Sequence, residues 1–223
     1  MNKYLHALFA SVFISQHAGA QIYSTNNDTV ETFAGSGATG YLDASGTSAI
    51  FNNPVFILAD SKSNLFVWDD NNALIRRISL DGNVSTFAGG GHLTDGYGTN
   101  VSFSAFVQSQ YEMAIDHNDV LYLATISGLL ASVRPDAYVS VITNFPFGID
   151  GICVDSHNNL YLSDQIGDTV YRYQTNGALT VFANQASSGI TDGSHFYPQV
   201  IACDNFDNIT TVRFGNPVNT GDL

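Results

Sequence analysis

Asp155-Ser-His-Asn-Asn-Leu160-Tyr-Leu162 is one of four versions of a short phrase that recurs along this 223-residue chain. In each version an Asp is followed by a polar turn and, five positions on, by an aliphatic residue; the other three begin at Asp60, Asp116 and Asp204. A second phrase, close to Thr-Phe-Ala-Gly, recurs at 31–35, 85–89, 140–144 and 180–184. Internal repeats of this kind indicate a fold built from successive copies of one small structural unit.

Each repeat predicts four short strands. In the third repeat the strand-forming runs are 149–154, 159–163, 170–173 and 178–183, and clusters of Gly, Asn and Asp typical of turns separate them. The repeat length is close to the ~40–45 residues of a four-stranded propeller blade. The extra length falls in one type of connection, from a fourth strand to the next first strand, at 35–43, 89–97 and 186–195. Because insertions of one type lie on one face of a repeat protein, we expect these segments to gather there with 69–72 and 164–165.

The first repeat carries a longer pattern: Phe51-Asn-Asn-Pro54, Asp60, Asn64–Val67, Asp69, Asn72, Ile75, Arg76, Ile78, Gly82, Val84, Thr86, Ala88 and Gly89. This pattern resembles the NHL repeat, a blade unit of one class of β-propeller. The third repeat matches at Gly151–Asp155 and Asn159–Leu162, whereas in the second repeat Thr125 replaces the second-strand Asp. The resemblance extends over residues 30 to 213.

The resemblance implies an all-β, NHL-like propeller with about four blades visible, a fragment of a ring of roughly six. On this interpretation residues 1–20 are a signal peptide, 21–29 an N-terminal lead, 30–213 an incomplete set of blades and 214–223 a truncated loop. An open arc of blades exposes unpaired strand edges, which promote aggregation. We therefore expect the isolated chain to be poorly soluble or to self-associate.

The N-terminus has the form of an export signal. Lys3 precedes the apolar run Leu5–Ser15, and Ala18-Gly-Ala20 is a small-residue cleavage site. The run is too short to span a bilayer, which takes ~20 residues. The sequence therefore predicts a secreted protein, periplasmic or extracellular, after cleavage near Ala20. The formal net charge of −13 argues against a nucleic-acid partner, whose phosphates require Lys and Arg.

The recurring Asp of each repeat has two interpretations. Four carboxylates at equivalent places could form a ring of metal ligands, or each Asp could cap its own tight turn by accepting backbone N–H groups. The capping interpretation is favoured, because a turn-capping Asp recurs wherever the turn recurs. The denser group Asp69-Asp-Asn-Asn72 offers four oxygen-bearing side chains, the ligand type that Ca²⁺ prefers, although it lacks the spacing of a calcium loop.

Glu112 is one of only two glutamates and lies on a first strand, where the family usually has Gly. First strands line the central channel of a propeller, so Glu112 could be a channel ligand or a general base. Alternatively, it belongs to a degenerate blade and points into channel water. The loop histidines His92 and His195 show no metal-binding spacing and are interpreted as solvated.

These observations predict a binding or interaction module for a protein or carbohydrate ligand, without a membrane span, because loops on a rigid scaffold carry recognition. The alternative is a propeller-type enzyme, a metal-dependent lactonase or hydrolase or a lyase. No catalytic residue, metal ligand or cofactor is assigned. The residues expected on the binding face are Tyr41, Asp43, Asp69, Asp70, Asn71, Asn72, His92, Asp95, Tyr97, Tyr111, Glu112, Asp164, Asp192 and His195.

The two cysteines occupy different registers. Cys153 lies two residues before its repeat Asp and Cys203 one residue before its own. Adjacent positions on a strand face opposite sides. The sequence therefore predicts two free, buried thiols rather than a disulfide.

Overall fold

The computed structural model describes residues 31–92, 94–103, 111–189 and 196–213; at 111, 212 and 213 it describes the backbone alone. The regular secondary structure of the described chain is almost entirely β-strand. Its strands are β1 Pro54–Ala59, β2 Leu65–Asp69, β3 Leu74–Ile78, β4 Val84–Gly89, β5 Gly96–Tyr97, β6 Tyr111–Ile115, β7 Leu121–Thr125, β8 Leu129–Val133, β9 Tyr138–Asn144, β10 Gly151–Val154, β11 Leu160–Asp164, β12 Thr169–Tyr173, β13 Leu179–Asn184, β14 Pro198–Cys203 and β15 Ile209–Arg213. Single 3₁₀ turns lie at Gly46–Ser48, Asp70–Asn72 and Gly98–Asn100.

The strands form four antiparallel sheets, one for each repeat. Blade 1 is β1–β4, blade 3 is β10–β13 and blade 4 is the pair β14–β15. Blade 2 contains β6–β9, with the short strand β5 added at its outer edge. The four-stranded repeat predicted from the sequence is confirmed for the first three units. In the described parts of the chain, no helix has the length and apolar character needed to cross a bilayer.

The core lies between successive blades, which pack face to face. Trp68 and Ile75 of blade 1 meet Leu123 and Val133 of blade 2 in one apolar cluster. A second cluster joins blades 2 and 3, and a third joins blades 3 and 4. Along each strand the side chains alternate between the two interfaces, so a blade is apolar on both faces. Such a unit needs a neighbour on each side to bury its surface.

Cys153 and Cys203 form a disulfide, with their Cα atoms 5.7 Å apart. The prediction of free thiols is therefore wrong. The register argument treated the two residues as if they lay on one sheet, but β10 and β14 belong to successive blades that face each other. Side chains that approach from two facing sheets must leave those sheets in opposite senses. The difference in register thus favours the bridge.

Candidate functional site

The recurring Asp of each repeat caps its own turn, as the favoured interpretation predicted. Oδ1 of Asp155 accepts the N–H groups of His157 at 2.9 Å and Asn159 at 2.8 Å, and Oδ2 accepts the Asn159 side-chain amide at 2.8 Å. Asp60, Asp116 and Asp204 make the same pair of backbone contacts. Their oxygens are committed to the turns.

These turns also bond to one another across blade boundaries. The residue after Asp60, Ser61, donates from its backbone and its hydroxyl to Asp119 of the next blade. Ser156 donates to Asp207 of blade 4 in the same way. The acceptor stands each time at the fourth position of its turn, where φ is close to +60°. One face of the stack is therefore joined from turn to turn.

On the opposite face, Asp69 is fully buried and is a structural residue. It accepts hydrogen bonds from the backbone N–H of Asn52 at 2.6 Å, from the guanidinium of Arg76 at 2.8 Å and from the side-chain amide of Asn72 at 2.8 Å. The side-chain amide of Asn71 donates to the side-chain oxygen of Asn52, and Asp70 accepts a hydrogen bond from the side-chain amide of Asn53. The group Asp69–Asn72 thus holds the chain that enters β1. Across the described residues, no group of three or more His, Cys, Asp or Glu side chains is arranged to hold a metal.

Arg76 is the centre of this buried network. Its guanidinium pairs with Asp69 and with Asp43, at 2.8 and 2.5 Å. It also lies over the rings of Tyr41 and Phe51, 4.9 and 5.0 Å from their centroids, where a cation is attracted to the aromatic face. The arginine thereby fastens the segment before β1 onto blade 1.

The first two long connections prove to be two copies of one structure. We call residues 35–51 the first connecting segment and residues 89–103, of which 93 is not described, the second. Asp43 accepts the backbone N–H of Thr86 at 3.0 Å, on the outer strand of blade 1. Asp95 accepts the N–H of Val141 at 2.7 Å, on the outer strand of blade 2. Each Asp stands three residues before a Gly-Thr pair that begins a 3₁₀ turn, at Gly46 and at Gly98.

This path changes where several expected binding residues lie. The second connecting segment runs along the outer edge of blade 2 as β5, so Asp95 and Tyr97 lie at that edge. The Tyr97 ring packs edge-on against Tyr138, with centroids 4.8 Å apart. His92 is exposed on the same segment, and its backbone N–H bonds to the carbonyl of Asn100. Asp192 and His195 lie outside the described residues, as does the side chain of Tyr111.

A cleft of about 360 Å³ opens where the two connecting segments meet blade 1. The exposed Tyr41 lines the cleft from the first segment and Thr99 from the second, and Asn72 also lines it. Its remaining lining residues are Leu74, Thr86, Gly89 and Gly90. A side chain at Gly89 would come within 2.5 Å of the Ala73 carbonyl, and its φ of +102° is one that L-residues rarely adopt. Position 89 therefore requires glycine.

A group of carboxylates lies where blades 2 and 3 meet. Burial, with the charge of Asp150 nearby, raises the pKa of Glu112 to about 7. Burial also raises the pKa of Asp164, opposed by the Gly167 N–H that bonds its Oδ1 at 2.8 Å and aided by the charge of Asp150. Asp150 itself accepts the Gln165 N–H at 2.8 Å. Of the expected residues, this group gathers Glu112 and Asp164 but not the tyrosines.

Thr86, Gly90 and Thr99 were missed as cleft residues by the sequence analysis. The signal was the repeated Asp-x-x-Gly-Thr, at Asp43–Thr47 and Asp95–Thr99. It marks two equivalent segments, and the cleft lies between them.

No protein-family model matches the sequence, and no curated protein matches it. Solved structures do match. A streptogramin B lyase aligns with 71% of this chain at 13% identity and a TM-score of 0.51. A nidogen/laminin complex aligns with 71% of this chain at 17% identity and a TM-score of 0.50. An auxiliary nutrient binding protein from Bacteroides thetaiotaomicron aligns with 73% of this chain at 14% identity and a TM-score of 0.51.

The chain is a partial β-propeller. It spans 47%, 56% and 36% of the lengths of those three structures. At such low identity the likeness shows the propeller fold alone. The propeller neighbours include an enzyme and binding proteins, so function must be argued from the site.

Proposed function

We propose that this chain is an exported, NHL-type propeller module that binds a protein or carbohydrate ligand in the cleft between its two connecting segments. The observation that carries the proposal is the construction of that cleft. Tyr41 and Thr99 line it from two segments that are each anchored to a blade by an Asp, Leu74 and Thr86 of blade 1 complete the lining, and the ring of Tyr41 is exposed. Rigidly held aromatic rings lose little conformational entropy on binding, and they suit both peptide and sugar surfaces.

Export is supported by two features far apart in the sequence. The N-terminal residues have the pattern of a cleavable signal. Cys153 and Cys203 lie within bonding distance between blades 3 and 4, and structural disulfides persist in oxidising compartments outside the cytosol. The binding proteins among the structural neighbours are consistent with this role but do not identify a ligand.

An enzymatic role rests on one specific observation, the partly buried Glu112 beside Asp150. A carboxyl group with a pKa of about 7 is suited to general acid–base catalysis near neutral pH. The lyase among the structural neighbours shows that the fold can carry chemistry. Binding is favoured, because Asp150 and Asp164, the carboxylates grouped with Glu112, each accept a backbone N–H and so serve to hold their loops.

The test is a glycan and peptide array probed with the purified protein, followed by titration of the strongest ligand. Tyr41→Ala and Thr99→Trp should each weaken binding at least tenfold, the first by removing the ring and the second by filling the cleft. Tyr97→Ala is the matched control, because Tyr97 is as exposed as Tyr41, at 55%, but packs against Tyr138. If both cleft variants bind the ligand as tightly as the wild type does, the cleft is not the binding site. Turnover of an ester or lactone that Glu112→Gln abolishes would establish the enzymatic alternative.

A further inference from the structure

The outer strands of blades 1 and 2 are both covered by extended chain. On blade 1, the N–H of Val84 donates to the Ala44 carbonyl at 2.9 Å, and that of Thr86 to Asp43. On blade 2, β5 pairs antiparallel with β9, and the N–H of Val141 donates to Asp95. The connecting segments thus satisfy the outward-facing backbone donors of these two strands.

In the parts of the chain that the structure describes, no segment covers the equivalent strand of blade 3, β13. By register, Leu179 corresponds to Val84 and Val139, and Val181 corresponds to Thr86 and Val141. The connection that enters blade 3, residues 145–150, is too short to reach the outer edge. Val84 and Val139 are 4% and 1% exposed, whereas their equivalent Leu179 is 37% exposed; Val181 is 57% exposed, against 38% for its equivalent Val141 on the covered edge.

β13 has one of the usual protections of an open edge, a bulge between Val181 and Ala183, but the covered strands β4 and β9 carry the same bulge. Natural sheets guard an open edge with charged residues, proline or a bulge that twists it away. Leu179-Thr-Val-Phe-Ala-Asn184 contains neither a charged residue nor proline, and Phe182 is exposed on its other face. Among the described residues, the outward N–H groups of Leu179 and Val181 have no partner. An open, apolar and uncharged strand is a template for strand addition.

We propose that β13 is a docking edge for an extended segment of a partner protein, which pairs antiparallel with it as β5 pairs with β9. The partner segment carries an Asp three residues before a Gly-Thr pair, the arrangement with which this chain covers its own two equivalent edges. The Asp accepts the Val181 N–H, and a neighbouring backbone carbonyl accepts the Leu179 N–H. This surface is separate from the cleft, so the inference stands whether or not the cleft binds a ligand.

The experiment titrates ¹⁵N-labelled protein with a peptide of the sequence 94–101, Thr-Asp-Gly-Tyr-Gly-Thr-Asn-Val, and follows backbone amide shifts. We expect saturable shifts centred on Leu179 and Val181. Replacing the peptide's Asp with Ala should weaken binding at least fivefold. In the protein, Val181→Pro removes the outward donor, and Leu179→Lys places a charge on the edge; both should abolish the shifts. Proline is tolerated where an edge N–H faces solvent. Ile166→Lys, at an exposed apolar residue away from β13, should leave binding intact.

Three results would overturn the proposal. The first is an absence of shifts on β13 at millimolar peptide. The second is slow hydrogen exchange of the Val181 amide in the free monomer, because another part of this chain would then cover the edge. The third is a dimer that Val181→Pro dissociates and the peptide does not, because the occupant would then be a second copy.

Discussion

The carboxylate of Asp119 accepts two hydrogen bonds from Ser61, a residue of the preceding blade, at 2.8 Å from the backbone N–H and 2.7 Å from the hydroxyl. Asp207 and Ser156 repeat this contact between blades 3 and 4, at 2.7 Å for both bonds. Between blades 2 and 3, the Asn158 side-chain oxygen accepts the His117 N–H at 3.2 Å. The turns thus reinforce the apolar interfaces along the face opposite the cleft.

Asp119→Ala should lower the free energy of unfolding by about 1–3 kcal/mol, because two bonds are lost and alanine tolerates the φ of +60° poorly. Asp119→Asn keeps an acceptor and a residue type suited to that conformation, so it should cost less. Ser61→Ala removes only the hydroxyl and serves as the matched control. Urea unfolding of the three variants is the measurement. Equal losses for Ala and Asn at position 119 would contradict the role of the acceptor.

Arg76→Met should be among the most damaging single changes in blade 1. It leaves the carboxylates of Asp69 and Asp43 without their cation, and breaking a buried ion pair costs about 3–5 kcal/mol. Arg77→Met is the control, because Arg77 is exposed and its guanidinium bonds only the Asn64 side chain in the described structure. We expect that control to lose less than about 1 kcal/mol. A thermal melt in which the two variants behave alike would refute the buried network.

The disulfide should join blades 3 and 4 in the purified protein. Alkylation without reductant should leave both cysteines unlabelled, and the mass should be two units below that of the reduced chain. Because the bridged residues are 50 positions apart, Cys153→Ala with Cys203→Ala should cost about 2–4 kcal/mol of stability. Wild-type protein measured with and without reductant provides the comparison. Full labelling of both thiols before reduction would show that the bridge does not form.

Glu112 should make stability depend on pH. Its pKa is about 7 in the folded chain against an ordinary value of 4.5, so the folded state binds the proton more tightly. Between these values stability falls as pH rises, because the unfolded chain releases its proton first, and the loss is complete above pH 7. Glu112→Gln removes the penalty, so its advantage over wild type should grow by up to about 3 kcal/mol from pH 4 to pH 8. Melts across this range provide the measurement. The stability of Glu31→Gln, at an exposed site, should follow that of the wild type across this pH range. A Glu112→Gln curve of stability against pH that runs parallel to the wild-type curve would falsify the role of Glu112.

The strands were predictable because turns and strands draw on different residues. In blade 3 the sequence runs 149–154, 159–163, 170–173 and 178–183 fall within two residues of β10 to β13. The capping role of Asp155 was predictable for the same reason, since an Asx turn is decided within five residues of chain. Local chemistry determines both features.

The path of the connecting segments was not predictable in this way. Asp95 and Val141 are 46 residues apart, and their contact exists only once blade 2 has formed. The prediction for the cysteines failed for a related reason, because the relative direction of their side chains depends on which sheets face each other. Both errors came from reading residues by their place in one repeat, whereas the contacts lie between repeats.

The bonds between turns give the stack of blades a polarity. In every described case the residue after the repeat Asp donates to the following blade, and the residue at the fourth turn position accepts from the preceding one. Each turn therefore has a donor end and an acceptor end. A blade duplicated in the gene would bring both ends with it and could join its neighbours without new contacts. Tandem duplication is thus a low-cost route by which an array of this kind can lengthen.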